Sequence, residues 1–303
     1  MDGILVINKP EGLTSHQVVS RIRRLFPGVK AGHSGTLDPM ARGVLPVCLG
    51  RATRLVEYII EQPKEYRAEV TLGTETDTED ATGTVTVRKK VPSIDHQYLE
   101  MILDSFQGEI EQLPPLYSAV KHRGKPLYHW TRKGEYAPRR IRRVHIYKIE
   151  LLHVGFDENP VFSFDVKCSK GTYIRTLAAD IGKKIGCGAH LSALTRLRVG
   201  PYTLKDSLEL DELECKAAGV DGSDFLKDPD TALVHLPSLI LADKDVDALG
   251  YGQLVTVEKN ESQCIDNSLP HRIYRSNGVF AALASVVQTE RGCKLKTIKY
   301  LER

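Results

Sequence analysis

Gly32-His33-Ser34-Gly35-Thr36-Leu37-Asp38-Pro39-Met40-Ala41-Arg42-Gly43-Val44-Leu45-Pro46 is the most informative stretch of the chain. Its glycines and prolines, continued at Gly50, demand several tight turns. Three readings compete for it. A serine nucleophile at Ser34 fits poorly, because Gly32-His33-Ser34-Gly35-Thr36 lacks the last glycine of a G-x-S-x-G elbow and no strand-to-helix pattern surrounds it. A structural reading makes Asp38-Pro39 a turn opener and His33 a satisfied partner. A catalytic reading makes Asp38 a carboxylate on a rigid, glycine-shaped loop, with His33 aimed at a substrate.

Asp38 is the one acid between Gly12 and Val56, beside Arg21, Arg23, Arg24, Lys30, Arg42, Arg51 and Arg54. A lone carboxylate in a basic neighbourhood is a candidate for a purposeful charge. A second basic block runs from Lys121 to Lys148. It holds Lys121, Arg123, Lys125, Arg132, Lys133, Arg139, Arg140, Arg142, Arg143 and Lys148 against Glu135, a local balance of +9. Tyr117, Tyr128, Trp130, Tyr136 and Tyr147 are interleaved. Such a mixture suits a surface that tracks phosphates and stacks on bases, with a solvated loop as the competing reading. The compensating acids lie between Thr203 and Asp247, twelve of them against four lysines. The net charge of +3 is thus a sum of opposed regions and does not weigh against a nucleic-acid partner.

Around the quoted stretch, Gly3–Asn8 reads as a buried strand ended by Lys9-Pro10-Glu11-Gly12. Thr14 and Gln17 have capping-box spacing, and Val18, Ile22 and Leu25 follow at helical spacing up to Pro27-Gly28. Tyr66–Leu72 and Gly83–Val87 alternate like strands around the polar Thr74–Thr82, Gln97–Phe106 looks helical, and Val161–Cys168 alternates again. A helix is expected from about Thr176, with Leu177, Ile181 and Ile185 apolar and Gly186 as its stop. Past Pro201 an acidic connector leads to short strands at Leu254–Glu258, Arg272–Tyr274, Val279–Val287 and Lys294–Tyr300, with Ser276-Asn277-Gly278 as a hairpin turn. These suggest a small β-barrel module.

At 303 residues and 41% hydrophobic, the chain has the composition of a globular protein of one or two domains. No apolar run is long enough to span a membrane. The start lacks the basic and apolar regions of a signal peptide, which makes the cytoplasm the default. Six scattered cysteines, without C-x-x-C or a Cys/His pair at zinc spacing, read as reduced and mostly buried, and no metal site is expected.

The stretch at 32–46 resembles the signature loop of the TruB-type tRNA pseudouridine-55 synthases, G-H-x-G-x-L-D-P-x-A-x-G-x-L-P, at every fixed position. The resemblance continues through Leu49-Gly50-Arg51-Ala52-Thr53, the opening Gly3…Asn8-Lys9-Pro10, Lys64-Glu65-Tyr66-Arg67 and Thr76-Asp77-Thr78-Glu79-Asp80. It also covers Gln112–Ala119, Gly124-Lys125-Pro126-Leu127-Tyr128, Cys168–Thr176 and Gly188-Ala189-His190-Leu191. It implies an α+β fold: a mixed, largely antiparallel sheet of pseudouridine-synthase type with flanking helices, plus a small C-terminal PUA-like β-barrel. Residues 1–236 would form the catalytic domain, with an RNA-clamping insertion at about 114–148, and residues 237–303 a PUA-like RNA-binding module.

The implied reaction breaks the C1′–N1 glycosidic bond of a uridine, turns the base and joins C1′ to C5. It needs no redox change and no energy source, which agrees with the absence of P-loop and dinucleotide patterns and implies no cofactor. By resemblance Asp38 is the carboxylate that acts, by attack at C1′, attack at C6 or proton removal from C2′. It must stay ionised though buried, so a cation within about 4–6 Å is required. Arg175 is similar to the family's partner for it, and Asp80 to an acid that positions the arginine. Tyr66 resembles the aromatic that stacks on the target uracil and relays the C5 proton, Tyr173 the second substrate-facing tyrosine, and Leu194 an apolar contact. Tyr173 and Arg175, two apart, share a face only on extended chain, so the helix is expected to begin after Arg175. A uridine inside a folded T-loop must be flipped out, at a cost of roughly a few kcal/mol, and His33 resembles the residue that fills the gap. Arg123, Lys125, Arg132, Lys133, Arg139, Arg140, Arg142, Arg143 and Lys121 would meet the RNA backbone, with recognition by shape and unstacked bases.

The implied partner is the T-arm of tRNA, with no membrane, no obligate protein partner and a monomer as the simplest state. A non-catalytic RNA chaperone is the alternative from a different class. The short N-terminus and the absence of Lys-rich tails point away from the family's guide-RNP relatives.

Overall fold

The computed structural model describes residues 1–118, 120–131, 133–135, 137–155, 160–217, 225–256, 268–290 and 292–302. Arg132 and Tyr136 lie outside the described residues, as do the side chains of Lys121 and Tyr128.

The apolar run at the start becomes strand β1 (Gly3–Lys9), buried along nearly its whole length. Helix α1 (Ser15–Leu25) follows, opened by the expected capping box: Thr14 Oγ1 accepts from the Gln17 amide at 3.1 Å, and Gln17 Oε1 accepts from the Thr14 amide at 2.8 Å. β2 (Ala31–His33) and β3 (Arg42–Leu49) flank the glycine-shaped loop. Next come α2 (Val56–Glu61), β4 (Lys64–Leu72), β5 (Thr74–Thr76), β6 (Val85–Arg88), α3 (His96–Asp104) and β7 (Gly108–Gln112). β6 is the strand expected at Gly83–Val87, and it pairs with β5, which lies within the polar Thr74–Thr82 stretch.

The basic block holds the short hairpin β8 (Lys121–His122) and β9 (Lys125–Pro126), then α4 (Leu127–Thr131). Its last residues enter β10 (Arg142–Gly155), a strand of the main sheet paired with β7 and β11 (Val161–Cys168). α5 (Ile174–Ile185) ends on Gly186 at φ 95°, the left-handed stop expected of that glycine. β12 (Ala189–Val199), β13 (Tyr202–Thr203) and β14 (Leu208–Glu209) complete the main sheet. The acidic connector carries two helices that its charge obscured, α6 (Leu210–Ala217) and α7 (Asp243–Gly250), on either side of β15 (Ser238–Ile240). β16 (Val255–Thr256), β17 (His271–Tyr274), β18 (Phe280–Thr289) and β19 (Gly292–Tyr300) follow. The Ser276–Gly278 turn joins β17 to β18, with Gly278 at φ 82°.

The ten-stranded main sheet runs β14-β1-β3-β12-β4-β11-β10-β7, with β2 on β3 and β13 on β12. All its pairings are antiparallel except β1 with β14 and β3 with β12. One apolar cluster, under α1, α3 and α5, holds Leu5, Ile22, Leu103, Phe164 and Ile181. The other face packs Val6, Val44, Leu55 and Ile59 against Leu233, Leu236, Leu283 and Leu301, so the C-terminal sheet (β15-β17-β18-β19-β16) shares a core with the main one. Burial on both faces explains why β1 and β3 read as continuous apolar runs, whereas β4 alternates.

The parallel contact of β3 with β12 rests on only two register pairs, Thr195 with Arg42 and Arg196 with Gly43. Gly43 has φ 109°, and a Cβ there would fall 2.3 Å from the Arg196 carbonyl oxygen, with backbone on both sides unable to yield. Gly43→Ala is expected to lower stability by at least about 2 kcal/mol, read as a drop in urea midpoint at unchanged m-value. A midpoint equal to that of the parent chain would contradict this account of the seam.

Candidate active site

The seam carries the site. Asp38 lies in the loop between β2 and β3, held by neighbours that need no water: Leu37 N donates to Ser15 Oγ at 2.8 Å, and Ala41 N to Asp38 O at 3.1 Å. Its carboxylate Oδ2 stands 2.9 Å from Arg175 Nε. Arg175 is buried, and the rest of its fork is taken up by main chain, Nη1 donating to Thr78 O at 3.0 Å and Nη2 to Tyr117 O at 2.9 Å. Asp80 Oδ2 lies 3.6 Å from the same Nε. Its other oxygen accepts from Thr78 Oγ1, Thr82 N and Thr82 Oγ1 at 2.7, 3.0 and 2.6 Å, which locks the carboxylate in place. The guanidinium therefore sits between two carboxylates, with its geometry over-determined by three chain segments.

The expectation of an extended chain through Arg175 is corrected. α5 begins at Ile174, so Arg175 lies in its first turn, and only Tyr173 is extended, at φ −99° and ψ 109°. Tyr173 is aimed at the site because it stands outside the helix. Gln112, the buried last residue of β7, clamps its backbone, accepting from Tyr173 N at 2.9 Å and donating to Tyr173 O at 3.1 Å. A cation in a first helical turn opposes the helix dipole. The Asp38 and Asp80 carboxylates provide the compensating charge.

Asp38, Arg175, Tyr66, Tyr173 and Leu194 line one cavity of about 240 Å³ together with Lys64, Ser118 and Arg196. Tyr66 on β4 is 9% exposed and Leu194 on β12 is 7% exposed, so the wall they form is apolar. Asp80 stands behind Arg175, away from the cavity lining. His33, on β2, is not among the lining residues. It is half-buried, and burial and the field of Arg196 hold its ring below the usual histidine range. A larger cleft of about 720 Å³, lined by Asp2, Asp228, Asp230 and Glu302 among others, contains none of the predicted site residues.

Burial raises the Asp38 carboxyl above its ordinary range, Arg175 opposes that strongly, Asp80 adds to it, and Lys9 opposes it too. Lys9 was not singled out as a site residue. It is fully buried, its Nζ donating to Pro10 O, Leu13 O and Pro39 O at 2.8, 2.6 and 3.3 Å, and burial pushes it down to about 8. Lys64 behaves alike, pushed down to about 8 by burial. Burial raises both cavity phenols, Arg196 opposing it at Tyr66 and Arg142, Ser118 and Arg175 opposing it at Tyr173.

Arg196 is the largest residue that the sequence reading missed. The signal was available, because Leu194 and Arg196 are two apart on β12 and face the same way.

The basic block is partly neutralised. Arg143 lies 3.5 Å from Glu109 and 3.4 Å from Glu111 on the adjacent strand, and Lys148 lies 2.6 Å from Glu150. Arg139 donates to Pro114 O at 3.1 Å. Arg123, Lys125, Lys133, Arg140 and Arg142 are exposed, and Trp130 is tethered by its Nε1 donating to His122 O at 3.2 Å.

With this geometry in place, residues 23–174 match the model described as TruB family pseudouridylate synthase (N terminal domain). Residues 175–234 match the tRNA pseudouridylate synthase B C-terminal domain. The fold is similar to that in the crystal structure of a Cbf5-Nop10-Gar1 complex (TM-score 0.75, 29% identity, 99% of this chain and 85% of that one). It is also similar to an H/ACA RNP bound to a substrate RNA containing 2′-deoxyuridine (TM-score 0.74, 26% identity, the same coverage). The class is thereby that of the pseudouridylate synthases. Proteins named tRNA pseudouridine synthase B are 45% identical in Chromohalobacter salexigens (85% of this chain, 83% of the relative) and 44% identical in Dehalococcoides mccartyi (93% and 92%). The chain belongs to the TruB family of pseudouridylate synthases.

Proposed function

We propose that the chain converts the T-loop uridine of tRNA, position 55 in tRNA convention, to pseudouridine, with Asp38 as the reacting carboxylate and no cofactor. The observation that carries this reading is the Asp38–Arg175 pair at 2.9 Å in a cavity walled by Tyr66, Tyr173 and Leu194. Arg175 keeps Asp38 ionised against the cost of burial, and Asp80 fixes Arg175. A flat base entering the cavity meets the Tyr66 ring on an apolar wall, which favours stacking without a hydrogen-bond requirement. Once C1′–N1 has broken, the detached uracil can turn between Tyr66, Tyr173 and Leu194 and present C5 to C1′. His33, outside the cavity at the end of β2, occupies the space that the flipped nucleotide leaves in the RNA.

The exposed cations of the 114–148 segment meet the RNA backbone, residues 1–236 form the synthase and residues 237–303 a PUA-like RNA-binding module. The chain acts as a monomer in the cytoplasm, without an obligate protein partner. No described helix is long and apolar enough to cross a membrane.

Incubation with an unmodified tRNA transcript, followed by carbodiimide treatment and primer extension, is expected to give a stop at the T-loop uridine. A folded enzyme and folded tRNA that yield no stop there would overturn the reading. Affinity for tRNA is expected to fall steeply with salt, each phosphate contact adding about −0.7 to −0.9 to the slope of log K against log salt. A flat response in a filter-binding titration would contradict the assignment of the exposed arginines and lysines.

A further inference from the structure

Arg196 is the largest fully buried side chain among the described residues, and the proposed reaction leaves it unused. It is 1% exposed, and no carboxylate pairs with it among the described residues. Its fork is directed at main-chain carbonyls of β3 and of the loop that carries Asp38: Nε donates to Val44 O at 2.7 Å, Nη2 to Gly35 O at 3.2 Å and Nη1 to Thr36 O at 3.4 Å. Arg196 on β12 stands directly opposite Tyr66 in the register of β12 with β4, and both side chains line the cavity. A buried guanidinium with only neutral partners is a net cost to folding, so the arrangement calls for a reason outside stability.

We propose that Arg196 is a positioning residue of the reaction: it ties the Tyr66 oxygen and the Gly35–Thr36 approach to Asp38 into one unit and turns a lone pair of that oxygen towards C5 of the bound base. The chemistry of the groups dictates the direction. A guanidinium has only donors, so the phenol oxygen must accept from it, and the phenol's own hydrogen points elsewhere. When C5 has joined C1′, the C5–H bond breaks and its proton passes to the Tyr66 oxygen as the phenol's own proton passes to water. The C5–H electron pair closes the C5–C6 double bond, the C6–N1 π pair moves to N1, and N1 takes a proton from water. Proton count and charge are unchanged overall, as an isomerisation requires. Arg196 stabilises the negative charge on the phenol oxygen whenever its own proton leaves first.

This inference rests on the reading of Tyr66 as the proton relay, and the test separates the two. Single-turnover rates are measured with tRNA carrying uridine or 5-deuterouridine, for the parent, Tyr66→Phe, Arg196→Lys and the double variant, with cooperative unfolding and tRNA affinity checked for each. Arg196→Lys keeps the charge but cannot span three carbonyls and a phenol. It is expected to slow the reaction by about 10²-fold and to bring out a primary deuterium effect at C5 that the parent lacks. In the Tyr66→Phe background the same substitution should add little.

A merely structural role would slow the reaction with no isotope effect and would add fully to Tyr66→Phe, which overturns the proposal. Tyr66→Phe without rate loss or isotope effect overturns the relay reading itself. A measurement independent of how Arg196→Lys folds is ¹⁵N NMR of arginine-labelled enzyme. The buried Nη–H resonances of Arg196 are expected to shift on Tyr66→Phe, and unshifted resonances overturn the contact on which the proposal stands.

Discussion

Asp38→Asn is expected to reduce pseudouridine formation by at least about 10³-fold while tRNA affinity stays within a few-fold of the parent. Asparagine preserves the shape of the side chain and leaves an amide oxygen for the Arg175 Nε now 2.9 Å from Asp38 Oδ2. It removes the one thing the shape does not supply, an ionisable oxygen. Stability should not fall with activity. Burial raises the Asp38 carboxyl in the folded state, so this group stabilises the fold below its ordinary range and costs stability once the pH has risen past its raised value. At neutral pH the charge is therefore a cost to the fold, and Asp38→Asn is expected to unfold at the same temperature as the parent or higher. Arg175 keeps Asp80 and two carbonyl acceptors in the variant. Single-turnover kinetics beside thermal melts and filter binding separate the three quantities. Loss of melting temperature in step with loss of activity would contradict the account.

The second large effect is Arg175→Met. Arg175 is the strongest influence opposing the rise in the Asp38 carboxyl, so its removal leaves burial and the neighbouring Asp80 carboxylate to keep Asp38 protonated. The rate at neutral pH is expected to fall by roughly 10²–10³-fold. In the parent the rate should rise with pH through an acid limb above the ordinary aspartate value of 3.8. In Arg175→Met that limb should move up, so that raising the pH restores part of the activity. Arg175→Lys keeps the charge but gives up the planar fork that joins Asp38, Thr78 O and Tyr117 O, so its acid limb should lie between the other two. An unchanged acid limb in Arg175→Met would show that the arginine does not govern Asp38.

Much of this site was legible before the fold. The lone carboxylate in a basic stretch pointed to Asp38, and glycine and proline spacing marked the loop that carries it. The capping box at Thr14 and Gln17 and the stop at Gly186 needed only local rules, and both stand where those rules put them. What escaped depends on pairings distant in sequence. Arg143 counted as a free cation until strand register set it beside Glu109 and Glu111. Lys9 is the single charge of an apolar strand and Arg196 one of two arginines in β12, and only the closing of distant segments over them shows that carbonyls take up their donors. The two-residue spacing of Tyr173 and Arg175 predicts an extended chain at both, yet α5 starts between them at Ile174. In the fold, extended Tyr173 and helical Arg175 reach the same cavity from either side of a helix start. In the acidic connector, charge masked the helical spacing of Val246 and Leu249, which are buried in α7.

The most direct test of the central claim is release of tritium from tRNA carrying [5-³H]uridine, followed in one turnover with the parent chain and with Asp38→Asn. The parent is expected to release the label from the T-loop uridine alone, and Asp38→Asn, folded and bound to the tRNA, to release none above background. Release by Asp38→Asn at the parental rate would contradict the assignment of the reacting carboxylate.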